Sequence, residues 1–217
     1  KKSKWWIIGG AGVILLAVVL RIVFNPAIHY SKGEKLFDSG KFSAAAEQFF
    51  AAGDYKDAAS KAKRATAAQS YADGEAKFNA GDYTAASALF TAAAGYEDAA
   101  ERVRQSQLGV HYKAAETAFA NGDYPSAISE FEQAENFQDA AEQVLASTYA
   151  LADENEKKEE YAKAIEEFDS IGDYSDAKER IFAIGLARLN ANDFSLAEKA
   201  FETGGSSQSE DYYYYTQ

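Results

Sequence analysis

The stretch Gly81–Phe90, GDYTAASALF, indicates the architecture of the chain because related stretches recur along it. Its pattern is a glycine followed by an aromatic residue after two positions, an alanine after five and a phenylalanine after nine. The same pattern begins at Gly40 and at Gly122, equally far before and after Gly81, and weaker versions begin at Glu159 and Asn192. Five copies at related spacing indicate a repeat protein.

A second pattern, an aromatic residue followed by x-Asp-Ala, separates the copies. It occurs at Tyr55–Ala58, Tyr96–Ala99, Phe137–Ala140 and Tyr174–Ala177. The residues between the two patterns are rich in alanine, glutamate and lysine, which favour helix. We therefore predict two helices per copy, with the three pattern-starting glycines at helix C-termini. The aspartates at 57, 98, 139 and 176 are predicted in the first turn of the longer helix, where they complement the helix dipole.

This organisation predicts an all-α fold, an α-α solenoid of about five helix pairs over residues 30–204. The copies are expected at 30–70, 71–111, 112–148, 149–181 and 182–204. A basic flank (1–4), an apolar segment (5–24) and a linker (25–29) are expected before them. The last part, 205–217, is predicted as a tail or a truncated terminal helix.

The repeats resemble the tetratricopeptide repeat. The second copy carries the matching residues Gly74, Gly81, Tyr83, Ala86, Phe90 and Ala93. The resemblance implies stacked helix pairs with a concave groove that receives peptides. The family period is about 34 residues, and the first copies here are longer by about seven residues. Such an addition is close to two helical turns, and we expect it to lengthen a helix without rotating its buried face.

Residues 5–24 predict a transmembrane helix that precedes the repeats. Trp5 to Phe24 contain one charge, Arg21, and twenty residues at about 1.5 Å each span the hydrocarbon core of a bilayer. A cleaved signal peptide is the alternative, but this apolar run is longer than a signal's and no Ala-x-Ala site follows. Three lysines precede the run, which places the N-terminus in the cytoplasm and the repeats outside it. The body also resembles Tyr-x-Asp-Ala arrays behind single anchor helices of bacterial surface proteins, which implies a bacterial cell envelope.

Composition restricts the chemistry of the chain. It has no cysteine and two histidines, so neither a metal site nor another cofactor is expected. Residues 1–29 carry +4, which leaves −16 on residues 30–217 from a total of −12. So acidic a body repels phosphate backbones, and a nucleic-acid partner is not expected. Acidic pairs are plentiful but no motif singles one out, so we predict no catalytic residue.

The candidate binding residues form two columns on the first helices. One slot holds a tyrosine in the first four copies, and an acid follows at the i+4 position on the same helix face. These residues are Tyr30, Glu34, Tyr71, Glu75, Tyr112, Glu116, Tyr149 and Asp153. In the resembled family these slots face the peptide groove, which implies a protein or peptide partner with basic or apolar character. The alternative is that the tyrosines pack between repeats and the acids are solvated.

The sequence thus predicts a membrane-anchored, non-enzymatic scaffold that binds proteins through an acidic, tyrosine-lined groove and contacts the bilayer through residues 5–24. An accessory subunit or chaperone of a membrane secretion or envelope-assembly complex is the second interpretation. An enzyme that acts on cell-wall polymer is the third, and it is the least favoured.

Overall fold

The computed structural model describes residues 25–204, which contain ten α-helices and no strand. The helices are α1 (Pro26–Asp38), α2 (Phe42–Ala52), α3 (Ala58–Asn79), α4 (Tyr83–Ala92), α5 (Ala99–Ala120), α6 (Tyr124–Gln133), α7 (Ala140–Lys157), α8 (Tyr161–Ser170), α9 (Ala177–Asn190) and α10 (Phe194–Gly204). The predicted all-α fold is confirmed for this range.

The predicted anchor and tail, residues 5–24 and 205–217, lie outside the described residues. Within residues 25–204, no helix combines the length and the apolar character needed to cross a bilayer. Helix α1 begins inside the segment 25–29 that the sequence predicts as a linker. It begins there because the Asn25 side chain accepts a hydrogen bond from the Ala27 amide and Pro26 occupies the first helical position, which suits its fixed φ.

The chain divides into two compact units between Ser106 and Gln107, inside α5. In the first unit, α1 packs on α2, α2 on α3 and α3 on α4. In the second unit, each helix from α6 to α9 packs on the next, and α8 also contacts α10. Helices that are neighbours in sequence are therefore neighbours in space within each unit.

The first helix of each copy, which is α1, α3, α5, α7 or α9, ends in a left-handed turn. Gly40, Gly81 and Gly122 have φ values of 74°, 75° and 76°, as their predicted place at helix C-termini requires. Glu159 and Asn192 occupy the same position in the last two copies, with φ values of 63° and 60°. The turn thus keeps its shape even where glutamate replaces glycine, although a left-handed backbone is unfavourable for a residue with a Cβ.

Helix length accounts for the changing period of the repeat. The slot residues Tyr71, Tyr112, Tyr149 and Phe182 come progressively closer together along the sequence. The first helices α5, α7 and α9 shorten in parallel, with 22, 18 and 14 residues. Each step removes about one helical turn, so the same face of the helix stays buried.

A phenylalanine from the short helix fills the core of each copy. These residues are Phe49, Phe90, Phe131, Phe168 and Phe201, all at most 2% exposed. Each follows a small residue of the first helix at one constant interval, and the small residues are Gly33, Gly74, Ala115, Ala152 and Gly185. At Gly74 the approach is so close that an added Cβ would lie 2.8 Å from the Phe90 ring. The small residue lets the ring lie directly against the first helix.

Candidate functional site

A tyrosine–aspartate hydrogen bond recurs in the first four copies, always between residues 27 positions apart. The pairs are Tyr30–Asp57, Tyr71–Asp98, Tyr112–Asp139 and Tyr149–Asp176. The hydroxyl oxygen lies 2.5 Å from the carboxylate oxygen in the Tyr30 and Tyr149 pairs. Each bond joins the first helix of one copy to the start of the first helix of the next. The first two pairs belong to the first unit and the last two to the second.

The sequence predicts these aspartates in the first turn of the longer helix, but each lies one residue before its helix begins. Asp57, Asp139 and Asp176 are the N-cap residues of α3, α7 and α9. Their side chains make no capping hydrogen bond. The carboxylate accepts the tyrosine hydroxyl instead, and the preceding residue, such as Lys56 with a φ of 51°, turns the chain into this position.

The tyrosine rings pack inside the copies. Each ring lies edge-on to the core phenylalanine of its own copy, with centroid distances from 5.3 Å for Tyr149–Phe168 to 5.8 Å for Tyr30–Phe49. Tyr30 and Tyr112 are buried, whereas the other two are half-buried. The rings and hydroxyls thus hold the helices together, as one of the two interpretations expects. A contact between these rings and a peptide stays a prediction.

Three of the four slot acids form ion pairs with the following first helix, again 27 residues later. Glu34 pairs with Lys61 at 2.5 Å, Glu75 with Arg102 at 2.5 Å and Asp153 with Arg180 at 2.9 Å. The structure brings the acids close to cations of the chain itself, so they are not simply solvated. These partner cations are absent from the candidates predicted from the sequence.

A cation of the following first helix also contacts the residue three positions after the slot acid; it is the partner cation itself in the second and fourth copies, but Arg64 rather than Lys61 in the first. The Arg102 guanidinium stands 4.2 Å from the ring centroid of Phe78, and the Arg64 guanidinium stands 5.1 Å from that of Phe37. Arg180 pairs at 2.6 Å with Glu156, the corresponding residue of the fourth copy. The residue at this position therefore contacts a cation in each of these copies, through a cation–π contact where it is phenylalanine and through an ion pair where it is glutamate.

The third copy departs from this arrangement because Gln143 occupies the position of the cation. Its amide donates a hydrogen bond to Asp139 at 3.0 Å. The slot acid Glu116 pairs instead with Lys113 of its own helix at 2.7 Å. Phe119, which corresponds to Phe78, is 36% exposed.

The pKa shifts follow from these contacts. The Tyr30 hydroxyl, hydrogen-bonded to Asp57, lowers the pKa of that carboxyl, and the Asp98 carboxylate raises the pKa of Tyr71 to about 12. The hydrogen bond to Glu34 raises the pKa of Lys61. Burial alone would lower the pKa of Arg180, but hydrogen bonds to Asp153 and Glu156 raise it. Each shift favours the protonation state that the contact uses at neutral pH.

A cavity of about 520 Å³ lies between α1 and α3 in the first unit. Phe37 and Phe49 supply apolar wall, and Glu34, Lys61 and Arg64 are among its charged lining residues. The volume is that of a small-ligand or side-chain pocket. Among residues 25–204, no three histidine, aspartate or glutamate side chains are grouped as a metal site requires.

The two units differ sharply in charge. Residues 25–106 contain 11 acidic and 10 basic side chains, which gives −1, whereas residues 107–204 contain 21 acidic and 8 basic ones, which gives −13. The acidity that the sequence assigns to the whole body thus belongs almost entirely to the second unit. The field of that unit attracts cations and repels anions.

No known family model matches the chain, and a comparison with curated proteins found no significant match.

Proposed function

We propose that the chain is a membrane-anchored scaffold of tetratricopeptide-like repeats that binds a basic protein partner through its second unit. The observation that carries the proposal is the charge of −13 on residues 107–204, beside −1 on residues 25–106. Charge concentrated on one part of a protein raises the rate and selectivity of association with oppositely charged partners.

The repeated contacts support a scaffold. The Tyr–Asp bonds and the acid–cation pairs join consecutive first helices, so side-chain contacts reinforce the packing of neighbouring helices. Helical repeats that contact their sequence neighbours expose extended surfaces suited to protein partners. A surface whose helices are fixed by such contacts loses less conformational entropy on binding than a flexible surface does.

The anchor part of the proposal rests on the composition of residues 5–24 and on the lysines before them. It places the acidic unit outside the cytoplasm, within reach of proteins of the envelope. The proposal involves no catalysis and no nucleic acid.

The test uses the full chain as bait in a non-ionic detergent extract of envelope proteins, with two matched charge variants. The first variant removes three exposed acids of the second unit: Glu132→Gln, Glu142→Gln and Asp169→Asn. The second removes three exposed acids of the first unit: Glu47→Gln, Asp54→Asn and Glu97→Gln. Both variants change the net charge by the same amount.

We expect the unmodified chain to retain at least one basic protein at low salt and to release it as salt rises, because ions screen exposed charges. The second-unit variant should retain several-fold less of that protein, and the first-unit variant should retain it as the unmodified chain does. Equal loss from both variants, or retention that salt does not change, would contradict the proposed function.

A further inference from the structure

Side chains of the chain itself show which group fits the space between consecutive first helices, beside the slot acid. In the second copy the Arg102 guanidinium reaches the Glu75 carboxylate and covers the Phe78 ring at the same time. In the fourth copy the Arg180 guanidinium reaches both Asp153 and Glu156. An arginine that makes two contacts thus occupies this position in the second and fourth copies, whereas in the first copy Lys61 pairs with the acid and Arg64 covers the ring.

The third copy provides the same receiving groups without the arginine. We use the term third-copy slot for Glu116, Phe119 and Gln143, which correspond to Glu75, Phe78 and Arg102. The Phe119 ring packs against Tyr124 with a centroid distance of 5.5 Å and an angle of 66°. The Phe78 ring packs against Tyr83 at 5.2 Å and 69°, so the two phenylalanines are held alike.

Exposure agrees with this correspondence. Phe119 is exposed, whereas Phe37 and Phe78, which lie beneath arginines, are half-buried. The pair between Glu116 and Lys113 lies on the surface, with side chains 44% and 56% exposed. Such exposed pairs are weak, so they do not prevent a second cation from approaching the carboxylate.

We propose that the third-copy slot binds an arginine side chain of a protein partner, which makes the contacts that Arg102 makes within the second copy. The inference rests on the proposed function, because it names the chemistry by which the second unit recognises its partner. Arginine is favoured over lysine because a planar guanidinium can lie on the Phe119 ring and still donate hydrogen bonds to the Glu116 carboxylate.

The experiment titrates the full chain, in a non-ionic detergent, with a capped peptide in which three arginines alternate with glycines. A peptide with citrulline at the same positions is the uncharged control. Binding is measured by the chemical shifts of the Glu116 and Phe119 amides. Gln143→Arg fills the slot from within the chain, and the matched variant Gln133→Arg adds the same charge to an exposed position of the same unit.

We expect the arginine peptide to bind and the citrulline peptide to bind at least tenfold more weakly. Gln143→Arg should weaken arginine-peptide binding at least fivefold, and Gln133→Arg less than twofold. Glu116→Gln, which removes the carboxylate from an exposed position, should also weaken it at least fivefold.

Equal effects of Gln143→Arg and Gln133→Arg would overturn the slot, because charge alone would then explain the binding. An arginine peptide that binds no better than its citrulline counterpart would overturn it as well. Either result leaves the proposed function standing if the second unit still retains a basic protein in the bait experiment.

Discussion

The hydroxyl of Tyr112 donates a hydrogen bond to the carboxylate of Asp139, 27 residues further along the chain. The same separation recurs from Tyr149 to Asp176, although Tyr149 follows Tyr112 more closely than Tyr112 follows Tyr71. The change in length therefore falls in the helix between an aspartate and the next tyrosine. The segment from tyrosine to aspartate is the constant unit of the repeat.

Removal of one hydroxyl tests the contribution of this bond. We expect Tyr112→Phe to lower the free energy of unfolding by about 1 kcal/mol, because it removes a hydrogen bond to a carboxylate and leaves the ring in place. Denaturant unfolding followed by circular dichroism measures the change. Tyr174→Phe is the control, since that ring packs in the same unit and its hydroxyl makes no hydrogen bond observed within residues 25–204. Equal losses in both variants would show that the Tyr112 bond contributes nothing specific.

Alkaline pH should weaken the bond between Tyr71 and Asp98. The Asp98 carboxylate raises the pKa of Tyr71 from 10.0 to about 12 in the folded chain. A raised pKa means that the stabilisation is complete below the unfolded pKa and is lost as pH rises through the folded one. We expect the difference in stability between the unmodified chain and Tyr71→Phe to shrink between about pH 10 and pH 12. A difference that stays constant across this window would contradict the raised pKa.

The left-handed turn at Glu159 offers a stabilising substitution. Glu159 is exposed and has a φ of 63°, where a residue with a Cβ is strained. We expect Glu159→Gly to raise the free energy of unfolding by about 0.5–1 kcal/mol. The neighbour Lys158 has a φ of −84°, so Lys158→Gly should instead lower stability. Thermal unfolding of the two variants should therefore shift in opposite directions, and shifts in the same direction would rule out relief of strain.

Glu167 is held between α7 and α8, where the Asn155 amide donates to both of its carboxylate oxygens. Burial raises the pKa of Glu167, an effect that the Asn155 hydrogen bond opposes. A carboxyl with a raised folded pKa favours the folded state more as pH falls through that pKa. Glutamine resembles the neutral form of the carboxyl, so we expect Glu167→Gln to stabilise the chain at pH 7. This stabilisation should become smaller as pH falls, because Glu167 of the unmodified chain is then protonated. Glu142→Gln removes an exposed acid and should do neither; the same behaviour in both variants would refute the prediction.

The repeat and its helices could be predicted from the sequence because glycine, alanine and phenylalanine recur where sterics require them. Gly81 adopts the left-handed turn, and Phe90 needs a small residue such as Gly74 beneath its ring. The beginning of α1 at Pro26 was harder to predict, because proline can end a helix as well as begin one.

The tyrosine and acid columns were also visible, but their partners were not. Pairing Glu75 with Arg102 requires knowing which residues of the next first helix face the slot, and this depends on how the helices pack. The sequence does show that a slot acid and its partner cation are always separated by the same number of residues. This separation has a physical meaning only after the first helices of consecutive copies are placed side by side.

If the third copy forms the same cation-receiving slot as the second and fourth copies, Glu116 and an arginine at position 143 should interact, and a double-mutant cycle measures that interaction. Gln143→Arg, Glu116→Gln and the double variant are compared by denaturant unfolding of the full chain. We expect the arginine introduced at position 143 to stabilise the fold only while Glu116 is present, with a coupling energy of about 0.5–1 kcal/mol. Additive effects would show that the two positions do not interact and that the third copy lacks the slot.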